Sequence, residues 1–378
     1  MQATAPSVRM ERSDFPRLFE ALQAAGYAVF GPTLRDEAIV YAELEGADQL
    51  PAGWTDEQGP GHYRMRRRGD DKLFGYAVGP HSWKQLLHPP EQRVWRAERD
   101  ANGRIQFVPE ALAAPPRAFL GVRACELAAI RVQDRVLREG ALADGGYAAR
   151  RAAAFLVAVE CSDPAATCFC TSTGTGPGVE AECDLVLTEV CEADEHYFLV
   201  AAGSERGRDV AAQLPLREAS ADERAAGRAV VAGAAARITR QLPQAGLPEA
   251  LAQALEHPRW DDVAERCLTC GNCTLVCPTC FCTTVEDTSD VSGAVAERWR
   301  RWDTCFSLDF SHLHGGSVRA SNRSRYRQWL THKLSTWHEQ FGSSGCVGCG
   351  RCIAWCPVGI DITEEAAALR QEPGHAQH

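Results

Sequence analysis

The sequence predicts an α+β protein of two domains, a mixed α/β domain over residues 1–262 and a largely helical one over 263–378. Three observations carry this. The chain has 378 residues, and at roughly 100–200 residues per domain that suits two domains. Short apolar, β-branched runs alternate with capped helical patterns through the first two thirds. The 17 cysteines are segregated: none precedes Cys125, six fall between Cys125 and Cys191, and eleven between Cys267 and Cys356.

The elements follow in order. SDFPRLFEALQAAG predicts an amphipathic helix with Ser13 or Asp14 as N-cap, Pro16 in the first turn and Gly26 just past the end. Tyr27–Gly31 and Glu37–Leu44 predict strands, being rich in β-branched and aromatic residues with turn signals between them. Ala118–Val122 predicts a short strand running into a helix that stops at Gly140, and AAFLVAVEC a strand ending at Cys161. DLVLTEVCEADEHYFLVAAG predicts a hairpin and Ala225–Arg240 a helix. Residues 242–260, LPQAGLPEALAQALEHPRW, have the Pro and Gly punctuation of a linker around one short helix, which places the boundary near residue 262. Beyond it, GAVAERWRRWDTCFSLDF and NRSRYRQWLTHKLSTWHEQFG both predict helix, and no strand is expected there.

Apolar residues at 45% and charged residues at 24% suffice for a sizeable core and exclude disorder for most of the chain. A net charge of −10 argues against a nucleic-acid surface or a polybasic membrane anchor. That acidity is uneven: residues 1–262 carry −9 and residues 263–378 carry −1. MQATAPSVRMERSDF has no apolar segment of a signal peptide, and no run approaches the ~18 apolar residues of a membrane span. A cytoplasmic location is therefore expected. Cytosolic chains do not spend thiols on structural disulfides, and an odd cysteine total fits pairing poorly, which leaves metal, cluster or redox chemistry.

Two runs carry that chemistry. Cys267-x2-Cys270-x2-Cys273-x3-Cys277-Pro278 and Cys346-x2-Cys349-x2-Cys352-x3-Cys356-Pro357 have the spacing that holds a [4Fe–4S] cluster in two-cluster ferredoxins. Three closely spaced thiolates occupy three corners of a cubane, and the fourth, a helical turn on, ligates the other cluster. The expected ligand sets are therefore Cys267, Cys270, Cys273 and Cys356 for the first cluster, and Cys277, Cys346, Cys349 and Cys352 for the second. A four-cysteine zinc site, and with it a structural or assembly module without redox chemistry, is the alternative. Zinc sites usually pair two CxxC units and do not use a triplet followed by Cys-Pro. The motifs stand 68 residues apart, with a helical pattern between them, so the second domain is expected to resemble the helical dicluster ferredoxins of fumarate reductase iron–sulfur subunits.

Thr167-Cys168-Phe169-Cys170-Thr171 recurs as Thr279-Cys280-Phe281-Cys282-Thr283. Cys125 opens a helix after a strand, Cys161 ends the next strand, and Cys168 and Cys170 follow on a loop before GTGPG. These four would hold a third [4Fe–4S] cluster, against the plainer reading of buried small side chains and a turn. Cys183 and Cys191 read as buried thiols, and Cys280, Cys282 and Cys305 lack an identified fourth ligand. GTGPG lacks the strand–helix context and distal acid of a dinucleotide fingerprint, and the chain has no P-loop, GxSxG or HExxH. No catalytic residue is therefore assigned. Tyr63–Arg68 and Arg319–Arg327 are basic runs, read as solvated faces or as docking surfaces for an acidic partner.

SWK at 82–84 with His88-Pro89, GVRACELAAI, VECSDPAATCFCTSTGTGP with DLVLTEV, CGNCTLVCPTCFC, Trp302–Cys305, RASNRSRYRQW and GCGRCIAWCPVGID together span most of the chain. In these segments it resembles the iron–sulfur (beta) subunits of NAD(P)-linked sulfhydrogenases, a family shared with the A subunit of anaerobic sulfite reductase. The resemblance implies a non-catalytic subunit that passes electrons between a flavin subunit working on NAD(P)H and a catalytic partner. That partner would be the small and large subunits of a nickel–iron hydrogenase, or a sirohaem sulfite-reducing subunit.

Overall fold

The computed structural model describes residues 8–110, 114–180, 182–192 and 195–371. In chain order its main strands are β1 (Val8–Glu11), β2 (Ala28–Arg35), β3 (Ala38–Glu43), β4 (Trp54–Gly59), β5 (His62–Arg67), β6 (Glu91–Arg99), β7 (Ile105–Pro109), β8 (Arg117–Val122), β9 (Ala154–Val159), β10 (Leu185–Glu192), β11 (Glu195–Ala202), β12 (Arg217–Glu218), β13 (Thr283–Ser289) and β14 (Val295–Trp302).

Eight of them form one sheet in the order β12-β1-β11-β10-β9-β8-β2-β3. Its centre is parallel, β2 to β8, β8 to β9 and β9 to β10, and antiparallel strands close both edges. Every residue of β9 is buried, as expected for a parallel strand covered on both faces. The period of two sorts its side chains. Phe155, Val157 and Val159 join the core under the helix Phe15–Ala24, while Leu156 and Ala158 join Trp83, Leu127 and Tyr147 on the other face. The predicted helices, strands and hairpin of this region are present, with ends shifted by a few residues.

One expectation fails. The stretch 293–310, read as helical, opens instead with β14, which pairs with β13 in an antiparallel hairpin where no strand was expected. Its turn is built by Asp290, whose carboxylate accepts from the Ala294 N–H at 2.8 Å, and by Gly293 at φ +68. The arginines and tryptophans of AERWRRW alternate across a strand and do not line a helix stripe. β14 finds an external partner that sequence patterning does not reveal: it pairs with β6, from the other side of residue 262, to give a sheet in the order β13-β14-β6-β7. The following stretch is helical as predicted, through Asn322–Thr331, a π-turn at His332–Thr336 and Trp337–Phe341. Trp260, Phe306, Tyr326, Trp329, Leu334 and Ile353 lead a second core there. Among the described residues no helix is long and apolar enough to cross a membrane.

Candidate metal centres

β8 and β9 are neighbouring parallel strands, so their carboxyl ends lie side by side at one edge of the sheet, where open α/β sheets place ligands. Cys125 stands three residues past β8 and Cys161 two past β9. The loop after Cys161 brings Cys168 and Cys170 back to the same place. One cavity is lined by Cys125, Cys161, Cys168 and Cys170, with Cys349 of the second motif on its wall. Burial first pushes all four up; neighbouring thiols add to this at Cys125, Cys168 and Cys170, the last to about 12, while at Cys161 the Arg123 guanidinium opposes it.

A second cavity is lined by Cys267, Cys270, Cys273 and Cys356, and reaches Cys352. Gly271, at φ +76, makes the tight turn after Cys270, and Cys270 is exposed. Cys277, Cys346, Cys349 and Cys352 form the third group. Burial raises Cys352 most, followed by the charges of Cys346, Cys349 and Cys277. The crossed sets expected from spacing are thus brought together in space. Cys349 and Cys352 place the Cys277 group between the other two.

The loop 345–350 that carries this middle group is gripped on two sides by the repeated TCFC segments. From one side, Phe169 N–H donates to Gly348 O at 2.8 Å and Thr175 Oγ1 to Val347 O at 2.7 Å. From the other, Thr279 Oγ1 donates to Gly345 O at 2.7 Å. The approach is backbone to backbone. A Cβ on Gly348 would lie 2.6 Å from Cys170 N, and one on Gly350 2.4 Å from Thr167 O. Phe169 enters the second core and Phe281 packs on Trp337 and Phe341.

Charged side chains complete the setting, and sequence reading missed them. Lys333 is buried, with Nζ 3.3 Å from Cys277 Sγ, 3.5 Å from Cys280 Sγ, 3.1 Å from Thr279 Oγ1 and 3.2 Å from Gly345 O. Cys277 is held well down by its hydrogen bond with Cys280 and by the Lys333 ammonium, against the effect of its burial. Lys84 is also buried, over the Trp302 ring at 3.9 Å and donating to Leu275 O at 3.3 Å. Arg351, between two motif cysteines, pairs with Glu126 at 2.6 Å, and among the described residues its Nη1 finds no nitrogen or oxygen partner. The signals in the sequence were weak: Arg351 sits inside a ligand run, and Lys333 is a lone lysine in a stretch that reads only as helix.

These observations fit iron–sulfur clusters. Each group offers four soft thiol donors, and the buried cations beside them call for anionic partners. The other candidates resolve differently. Cys183 is buried, and Cys191 lies in β10 opposite His196. Donor atoms of Asp71, Cys191 and His196 lie within 4.8 Å of one another. Carboxylates of Asp71 and Glu189 occupy both ring nitrogens of His196, which accounts for the arrangement as an ion-pair clamp. Cys305 is raised by burial and then by Cys282, which sits beside Lys333 and Lys84. The Arg319–Arg327 run does not present a free basic face: Arg325 is buried on backbone carbonyls, while Arg323 and Arg327 pair with Glu256.

Fold and site together define an iron–sulfur protein, and residues 266–360 match the family of the 4Fe-4S dicluster domain. Over 96% of its length the chain is 28% identical to sulfhydrogenase 2 subunit beta of Pyrococcus furiosus, covering 98% of that protein. The resemblance seen in scattered segments therefore runs along the whole chain. No solved structure matches.

Proposed function

We propose that the chain is the electron-transfer subunit of a larger oxidoreductase, relaying single electrons between a flavin-bearing, NAD(P)-linked subunit and the small and large subunits of a nickel–iron hydrogenase. The observation that carries the relay is the contiguity of three four-thiol groups, joined through Cys349 and Cys352. In this reading Cys267, Cys270, Cys273 and Cys356 hold one [4Fe–4S] cluster, and Cys277, Cys346, Cys349 and Cys352 a second. Cys125, Cys161, Cys168 and Cys170 hold a third, on the 1–262 side of the chain. Bound clusters supply one-electron redox chemistry and no more.

The chain's own residues do the rest. The paired loops fix the spacing between groups, the apolar cores exclude water from the two inner ones, and Cys270 leaves the outer one at the surface. A hydride from NAD(P)H must be split into single electrons by a flavin, so a flavoprotein partner is required. The whole-length likeness to a protein named as a sulfhydrogenase beta subunit supports the hydrogenase as the catalytic partner. The test is anaerobic reduction of the purified, cluster-loaded chain. Dithionite should bleach it and NADH or NADPH should not, until the flavin subunit is added. Reduction by NAD(P)H with no partner present would contradict the relay.

A further inference from the structure

Lys333 sits where an ammonium has little reason to be. It is carried on a single π-turn, His332–Thr336, an irregularity that often marks functional positions. Its four close neighbours are two thiols, a hydroxyl and a carbonyl. Among the described residues no carboxylate pairs with it. A buried charge persists when something of opposite sign offsets it, and the nearest source of negative charge is sulfur: Cys277 at 3.3 Å and Cys280 at 3.5 Å. Arg351 near the same loop differs, because Glu126 neutralises it at 2.6 Å.

The position is fixed from outside. Gly345 N–H donates to Lys333 O at 2.9 Å, and a Cβ on Gly345 would fall 2.5 Å from the Trp337 ring. The ammonium is therefore locked against the Cys277 sulfur by the packing of the helix that carries it.

We propose that Lys333 is a positioning residue for electron transfer, a fixed positive charge that raises the reduction potential of the middle cluster and so sets the level through which every electron crossing the chain must pass. This rests on the ligand assignment given above for Cys277, Cys346, Cys349 and Cys352. Reduction of a [4Fe–4S]2+ cluster to [4Fe–4S]+ adds one electron and no proton, so a nearby cation stabilises the reduced form more than the oxidised one. The N–H···S bond to Cys277 acts in the same direction. Because the middle group borders both others, lowering its potential would make the step onto it less favourable from either side.

The experiment is a potentiometric titration of the full-length, cluster-loaded protein, followed by electron paramagnetic resonance, on wild type, K333M and K333R. Cys277→Ser, run alongside, identifies the signal of the middle cluster as the one it perturbs. K333M should keep its iron and show that signal at a lower midpoint, with the other midpoints in place, and K333R should stay near wild type. If K333M loses the middle cluster, K333Q, which keeps N–H donors without the charge, should show the lowered midpoint instead. An unchanged midpoint in whichever neutral variant retains full iron overturns the role of Lys333. A Cys277→Ser protein whose perturbed signal belongs to the Cys267 group overturns the ligand assignment instead, so the two failures are separable.

Discussion

Glu126 is a buried carboxylate engaged by four different donors. It accepts from Arg351 at 2.6 Å, Tyr41 Oη at 2.8 Å, Trp83 Nε1 at 3.1 Å and the Arg123 N–H at 3.2 Å, with almost no exposure. Removing one partner of such a pair strands the other charge in a dry interior. Arg351→Met should therefore destabilise the protein by about 3–5 kcal/mol, read from denaturant unfolding of the cluster-loaded form. A loss below about 1 kcal/mol, the worth of a surface pair, would mean that water reaches Glu126.

His196 offers a pH test. Burial pushes its pKa down, but the hydrogen bond to Glu189 and the nearby Asp71 outweigh this and leave it raised above 6.5. A raised folded pKa means that the clamp contributes fully below the ordinary histidine value and is lost as pH climbs through the folded one. The gap in denaturant midpoint between wild type and His196→Asn should thus shrink with rising pH. A gap that widens would contradict the imidazolium.

At the scale of elements, the glycines of the second motif are explained by the loop they touch. Gly348 and Gly342 both have left-handed backbones, at φ +64 and +67, but only Gly348 has another backbone segment, Phe169–Cys170, against it. Gly342→Ala should cost about 1–2 kcal/mol of backbone strain alone. Gly348→Ala should cost more, by a further ~1–3 kcal/mol for the forced separation. It should also lower iron content, because Cys170 is what its Cβ strikes. Equal losses of stability in the two variants would show that the loops part freely.

The ligand runs were legible because cluster spacing is written within a dozen residues. Cys125 and Cys161 could be placed together because each follows an apolar run that reads as a strand. The hairpin Thr283–Trp302 was not legible. Its strands are exposed or half-buried, rich in charge, and held by a partner about 200 residues away in β6. Its periodicity therefore reads as a helix face when taken alone.

For the whole molecule, the two portions on either side of residue 262 share structure instead of merely adjoining. β6 and β7 complete a sheet with β13 and β14, Tyr63 packs on Trp355 with ring centroids 5.0 Å apart, and Gln133 Nε2 donates to Pro278 O at 3.0 Å. The cavity of Cys125, Cys161, Cys168 and Cys170 has Cys349 in its wall, so a fragment ending at the linker would open it. Tests of that centre belong on the intact chain.

The sharpest of them is a count of iron and acid-labile sulfide per chain in anaerobically purified full-length protein, compared with the Cys161→Ser/Cys168→Ser double variant. At four iron atoms per [4Fe–4S] unit, three centres give about twelve irons, falling to about eight in the variant with the two motif clusters intact. About eight irons in the wild type, unchanged in the variant, would contradict the three-centre relay.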